Sequence, residues 1–80
     1  MSERLRNQGR LTEIQVKIKD ACMRLEHLRD SLRLELDQFE PLENLRGEVI
    51  QGLAFDFAAR QVDYQELLDV EADLRRALGR

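Results

Sequence analysis

The first half of the chain carries one narrow apolar stripe at helical spacing. Apolar residues recur at alternating steps of three and four positions, which places them along one seam of a continuous helix. This pattern predicts helix 1 over about residues 11–38, with Phe39 as a further apolar position after Glu35 interrupts the stripe. An apolar stripe on a lone helix stays exposed to water, so helix 1 must pack against another helix. The stripe consists of Leu11, Ile14, Ile18, Ala21, Leu25, Leu28 and Leu32.

The chain is expected to turn back on itself near Pro41. Proline cannot continue a helix because it lacks an amide hydrogen, but it suits the first turn of a new one. Helix 2 is therefore predicted over about residues 42–60, with Leu53 and Phe57 on the side that faces helix 1.

A third helix is predicted over about residues 64–77. Asp63 followed by Glu66 has the spacing of a capping box, in which an acidic N-cap and a glutamate satisfy free amide hydrogens. This start signal indicates a short break between helices 2 and 3, within about residues 58–62.

These elements predict an all-α fold: an antiparallel helical hairpin with a long helix 1 and a broken second arm. The two arms match in length, so folding back at Pro41 brings Leu11 opposite the region of Val70. Residues 11–80 form a single domain in this interpretation, and residues 1–10 form a flexible or frayed basic arm. The expected hairpin core is Leu11, Ile14, Ile18, Leu25, Leu28, Leu32, Leu53, Phe57, Leu67 and Leu74.

Charge is distributed unevenly between the two arms. Charged residues make up 36% of the chain and aromatic residues 5%, which is typical of exposed helices. Residues 1–33 have a net charge of +3, whereas residues 34–80 have −6. Antiparallel pairing would place the basic start of helix 1 beside the acidic helix 3, which favours that orientation over a parallel one.

A chain of 80 residues has difficulty burying a sufficient core. A core of this size supplies about 3–5 kcal/mol, and one cysteine with one histidine offers neither a disulfide framework nor a metal centre. Self-association, most simply as a homodimer forming a helical bundle, is the remaining route to stability. Phe55 points about 160° away from Phe57, so it lies on a second face of helix 2. The expected dimer or partner interface is Gly52, Phe55, Ala58, Ala59 and Val62.

No catalytic, cofactor-binding or metal-binding motif is recognisable in the sequence. We therefore expect a small cytoplasmic, non-enzymatic adaptor that acts through protein contacts, with itself or with an unidentified protein partner, and not through a membrane. The alternative is a regulatory protein that contacts nucleic acid, in which the N-terminal arginines would bind phosphates. Those residues are Arg4, Arg6 and Arg10.

Overall fold

A computed structural model describes residues 2–79 as two long helices joined by a turn. Helix α1 spans Glu3–Glu35, and helix α2 spans Gly47–Ala77. A short 3-10 helix, Leu42–Asn44, lies in the turn, and the described residues contain no strand. The two helices pack side by side in a hairpin that measures 61 × 16 × 16 Å. The expected all-α helical hairpin is thus confirmed.

Residues 3–10, for which we expected a flexible or frayed arm, are the first turns of α1. Ser2 caps this helix, because its hydroxyl oxygen accepts the backbone N–H of Leu5 at 3.2 Å. Glu3 lies in the first turn, where the helix dipole favours a negative charge. The helix therefore begins well before Leu11.

Helix α1 ends at Glu35, earlier than the pattern predicted. The side chain of Asp37 accepts the backbone N–H of Phe39 at 2.9 Å, and its carbonyl accepts the N–H of Glu40 at 3.2 Å. This local hydrogen bonding competes with the helix and closes a turn. Phe39 is 85% exposed there, so the expectation that it continues the apolar stripe is wrong.

The second arm is one uninterrupted helix, and the prediction of separate helices 2 and 3 is wrong. Residues 42–44 form only a 3-10 turn, so α2 begins at Gly47. The segment between Ala58 and Val62 contains no glycine or proline that would interrupt a helix. A break there would leave backbone N–H and C=O groups without their helical hydrogen bonds and without new partners. The capping signature at Asp63 does not outweigh that loss, and Asp63 is an exposed residue within the helix.

The fully buried core lies at the open end of the hairpin. Leu11 of α1 packs with Leu74 and Leu78, and Ile14 and Val70 complete the cluster. This places Leu11 opposite the region of Val70, as the matched arm lengths predicted. The remaining predicted core residues are only half-buried: Ile18, Leu25, Leu28, Leu32, Leu53, Phe57 and Leu67.

An ion pair joins the two arms at the turn end. The Arg46 guanidinium donates to both carboxylate oxygens of Glu35, with Nε 3.0 Å from Oε2. Glu35 follows Leu32 by three residues, on the side of α1 that faces α2. Arg46 precedes the half-buried Ile50 by four residues, on the facing side of the second arm. The residue that interrupts the apolar pattern of α1 therefore has its partner directly across the hairpin. The hydrogen bond from Arg46 lowers the pKa of Glu35 below its usual value of 4.5.

Elsewhere along the hairpin the expected pairing of opposite charges is looser. Lys17, Arg24 and Asp63 line one groove between the helices. Within residues 2–79, however, the ion pairs of α2 at the open end are internal, joining Glu71 to Arg75 and Asp73 to Arg76. Among residues 2–79, then, the opposite net charges of the two arms attract each other at the open end without an ion pair that joins the helices.

Truncation of the buried leucine should cost much more stability than truncation of an exposed one in the same helix. We expect Leu11→Ala to lower the free energy of unfolding by about 2 kcal/mol or more, because Leu11 is 1% exposed. Leu34→Ala is the matched control, because Leu34 is 81% exposed, and its unfolding curve should match the parent within about 0.5 kcal/mol. Urea denaturation at one fixed protein concentration measures both. Equal losses would contradict the position of the core.

The ion pair at the turn should make stability depend on pH in the acidic range. A carboxylate whose folded pKa is lowered stabilises the fold above its unfolded pKa, 4.5 for Glu35, and that stabilisation disappears as the pH falls through the lower folded value. The melting temperature of Glu35→Gln should therefore lie below the parent at neutral pH and approach it in acid. Glu13→Gln, which alters an exposed carboxylate of α1, is the control. A difference that stays constant with pH would rule out this role for Glu35.

Candidate protein interface on the second helix

The five residues expected at an interface all lie on the outer side of α2. Phe55 is 68% exposed and Val62 is 54% exposed, so most of each side chain lies in water. The space beside Gly52 is open, because outside the adjacent backbone of α2 no atom comes within 4 Å of where a Cβ would stand. We define this surface as the Phe55 face: Gly52, Phe55, Ala58, Ala59 and Val62, all exposed.

Helix geometry explains why α1 leaves the Phe55 face uncovered. The half-buried residues Leu53, Phe57, Tyr64 and Leu67 mark the inner side of α2. At 100° per residue Phe55 lies about 160° from Phe57, so one neighbouring helix cannot contact both. Any cover for Phe55 must come from outside this hairpin.

The outer side of α2 is also free of charge along its first half. Between Glu48 and Glu66 every residue that projects away from α1 is uncharged, although 36% of the chain is charged. Removing such a surface from water requires little desolvation of polar groups, whereas a charged surface would resist burial. These outward residues are Gln51, Gly52, Phe55, Ala58, Ala59, Val62 and Gln65.

A second apolar surface lies at the turn and was missed by the sequence pattern. Leu34, Leu36 and Phe39 line one shallow groove there, and Leu42 is exposed as well. The heptad spacing predicts that Phe39 belongs to the inner seam, and for that reason it does not predict this surface. The available signal was Asp37, whose side chain readily caps a turn two residues on.

The grooves between the two helices are shallow, and two of them contain residue types that occur in catalytic sites. One groove contains His27 with Met23 and Asp56 at its wall. Another contains Cys22, whose thiol donates to a carboxylate oxygen of Glu26 at 3.4 Å. Within residues 2–79 no group of three or more histidine, cysteine, aspartate or glutamate side chains is placed to hold a metal ion.

The N-terminal arginines are separated by the helix that contains them. Arg6 and Arg10 are one turn apart on the same face of α1, and both are exposed. Arg4 is exposed as well, but it is rotated about 160° from Arg6. The three side chains therefore do not form one basic surface.

No protein family model, curated protein or solved structure matches this chain. No helix within residues 2–79 is long and apolar enough to cross a membrane.

Proposed function

We propose that this chain is a small, non-enzymatic helical adaptor that associates with itself, most simply as a homodimer, and acts through protein contacts. The Phe55 face is the single observation that carries the proposal. It combines exposed large apolar side chains with small neighbours, and it lacks charge. Exposed apolar surface of this kind is typical of protein contact sites. One cysteine and a highly charged composition fit a cytoplasmic location.

The area of the hairpin supports association. Its accessible surface is 6433 Å², whereas a folded monomer of 9.4 kDa is expected to expose about 5,000 Å². The surface exposed beyond that expectation is larger than the roughly 800 Å² that each partner buries in a stable interface. Its radius of gyration, 18.0 Å, likewise exceeds the roughly 12 Å of a compact chain of this length. A second copy would supply the missing cover.

Placing a charge on the Phe55 face should prevent association. We expect Phe55→Asp to be monomeric at concentrations where the parent is dimeric, because burying an unpaired carboxylate costs several kcal/mol. Light scattering coupled to size-exclusion chromatography gives the mass of each species. Circular dichroism shows whether the variant stays helical.

Val16→Asp is the control for this experiment. Val16 is 65% exposed on the outer side of α1, so the same kind of charge is introduced away from the Phe55 face. This variant should remain dimeric. A parent protein that is monomeric throughout, or a Phe55→Asp variant with the dimer mass, would overturn the proposal.

Nucleic-acid contact is the alternative proposal, and its support is the net charge of +3 in residues 1–33. Binding to phosphates weakens steeply with added salt, whereas an apolar helix contact changes little. If the alternative is right, single-stranded RNA binds in low salt, and replacement of Arg4, Arg6 and Arg10 by alanine reduces both affinity and salt dependence. Fluorescence anisotropy measures both. If it is wrong, the parent and the triple variant show the same negligible binding.

A further inference from the structure

A second line of uncharged residues runs along one flank of α2. Like the inner seam, it advances by alternating steps of three and four residues, so it follows one side of the helix. It covers about 30 Å of the helix, from Gln51 to Ala72. Every member is exposed in the hairpin. We define it as the second seam: Gln51, Ala54, Ala58, Gln61, Gln65, Leu68 and Ala72.

The second seam continues the Phe55 face. Ala58 belongs to both surfaces, and Phe55 and Val62 lie along the outer edge of the seam. The seam has alanine or glutamine at every position except Leu68. Small side chains allow a helix to approach closely, and the amide groups of glutamine can hydrogen-bond across a contact.

The order of large and small residues in the second seam complements its own reverse. Turning the seam end for end about Gln61 brings Leu68 opposite Ala54 and Gln65 opposite Ala58. In the same register Gln51 meets Ala72, and Gln61 meets its own copy. A parallel alignment instead opposes each residue to itself, which leaves gaps between alanines and crowds the leucines. The seam is thus suited to a two-fold contact, in which one patch meets an identical patch.

Charges beside the second seam favour the same orientation. The row next to it, on the side of Phe55 and Val62, contains Glu48, Asp69 and Arg76. An antiparallel alignment brings Glu48 of one copy near Arg76 of the other, and it separates the two copies of Asp69. In a parallel alignment this row would lie on opposite sides of the contact in the two copies, so Glu48 and Arg76 would not meet.

We infer that the second seam joins two copies of this chain as an antiparallel pair of α2 helices, related by a two-fold axis beside Gln61 and Val62. The inference rests on the self-association proposed above and specifies its geometry. The partner is a second copy of the chain. In the resulting four-helix assembly each α2 contacts two helices: its own α1 along the inner seam, and α2 of the second copy along the second seam on its flank.

Disulfide cross-linking tests this geometry. In a Cys22→Ser background, each variant carries one new cysteine, by Gln61→Cys, Gln51→Cys or Ala72→Cys. A disulfide requires Cα atoms within about 7 Å, and the two copies of residue 51 would be about 30 Å apart. We expect Gln61→Cys to cross-link with itself and the other two variants to cross-link only when mixed together. Lys17→Cys, which places a thiol on α1 in the groove near Asp63, is the control and should not cross-link.

The outcomes separate the inference from the proposed function. Suppose light scattering shows a dimer, and Gln51→Cys cross-links with itself as efficiently as Gln61→Cys does. That result would overturn the antiparallel geometry and leave self-association standing. A dimer without cross-linking at any seam position would also overturn the inference alone. A monomer would overturn both.

A size exchange tests the register without covalent chemistry. Ala54→Leu alone should weaken the dimer about tenfold or more, because two leucines would then oppose each other. Adding Leu68→Ala restores a large residue opposite a small one, so the double variant should recover most of the affinity. Sedimentation over a dilution series measures the dissociation constants. A double variant weaker than Ala54→Leu would overturn the register.

Discussion

Two helices packed side by side can bury only a narrow line of contact, and this limit governs the whole structure. The hairpin encloses a full cluster only at its open end, where Leu11 meets Leu74 and Leu78. Along the rest of the inner seam, residues such as Leu28 and Phe57 stay half-exposed. An apolar side chain that is half in water provides only part of its stabilisation. These half-exposed apolar side chains would gain stabilisation from further cover, which is how the packing of the hairpin supports the proposed association.

At the turn end of the hairpin an ion pair joins the two arms, whereas at the open end they are joined by apolar packing. The Glu35 side chain is largely covered, with 18% of it exposed, whereas the Arg46 side chain is 65% exposed. An ion pair with one exposed partner contributes modestly to stability, so its main effect is to set which residues of the two arms face each other. The pair and the leucine cluster lie at opposite ends of the inner seam. Together they hold the two long helices in one register.

The sequence predicts the elements with a strong periodic signal and is wrong where local hydrogen bonding decides. The stripe from Leu11 to Leu32 was sufficient for the long helix and, with Pro41, for the hairpin. The helix cap at Ser2 and the turn at Asp37 each depend on one side-chain hydrogen bond. A single hydrogen bond leaves no repeating pattern in the sequence from which it could be predicted. Asp63 shows the reverse case, in which a local capping signature is present but the surrounding helix formers keep α2 continuous.

The exposure of Phe55 is more predictable from the sequence than the second seam, for a related reason. That Phe55 lies far from Phe57 follows from helix geometry alone, and the structure leaves Phe55 exposed. Once α2 is one continuous helix, however, its outer flank extends without interruption to Ala72, and the second seam becomes visible as a unit. A break near Val62 would have divided it into two short faces, neither long enough for a stable helix contact. The continuity of α2 is therefore the condition for the proposed assembly, since one continuous helix can present its inner seam to α1 and the second seam to another copy.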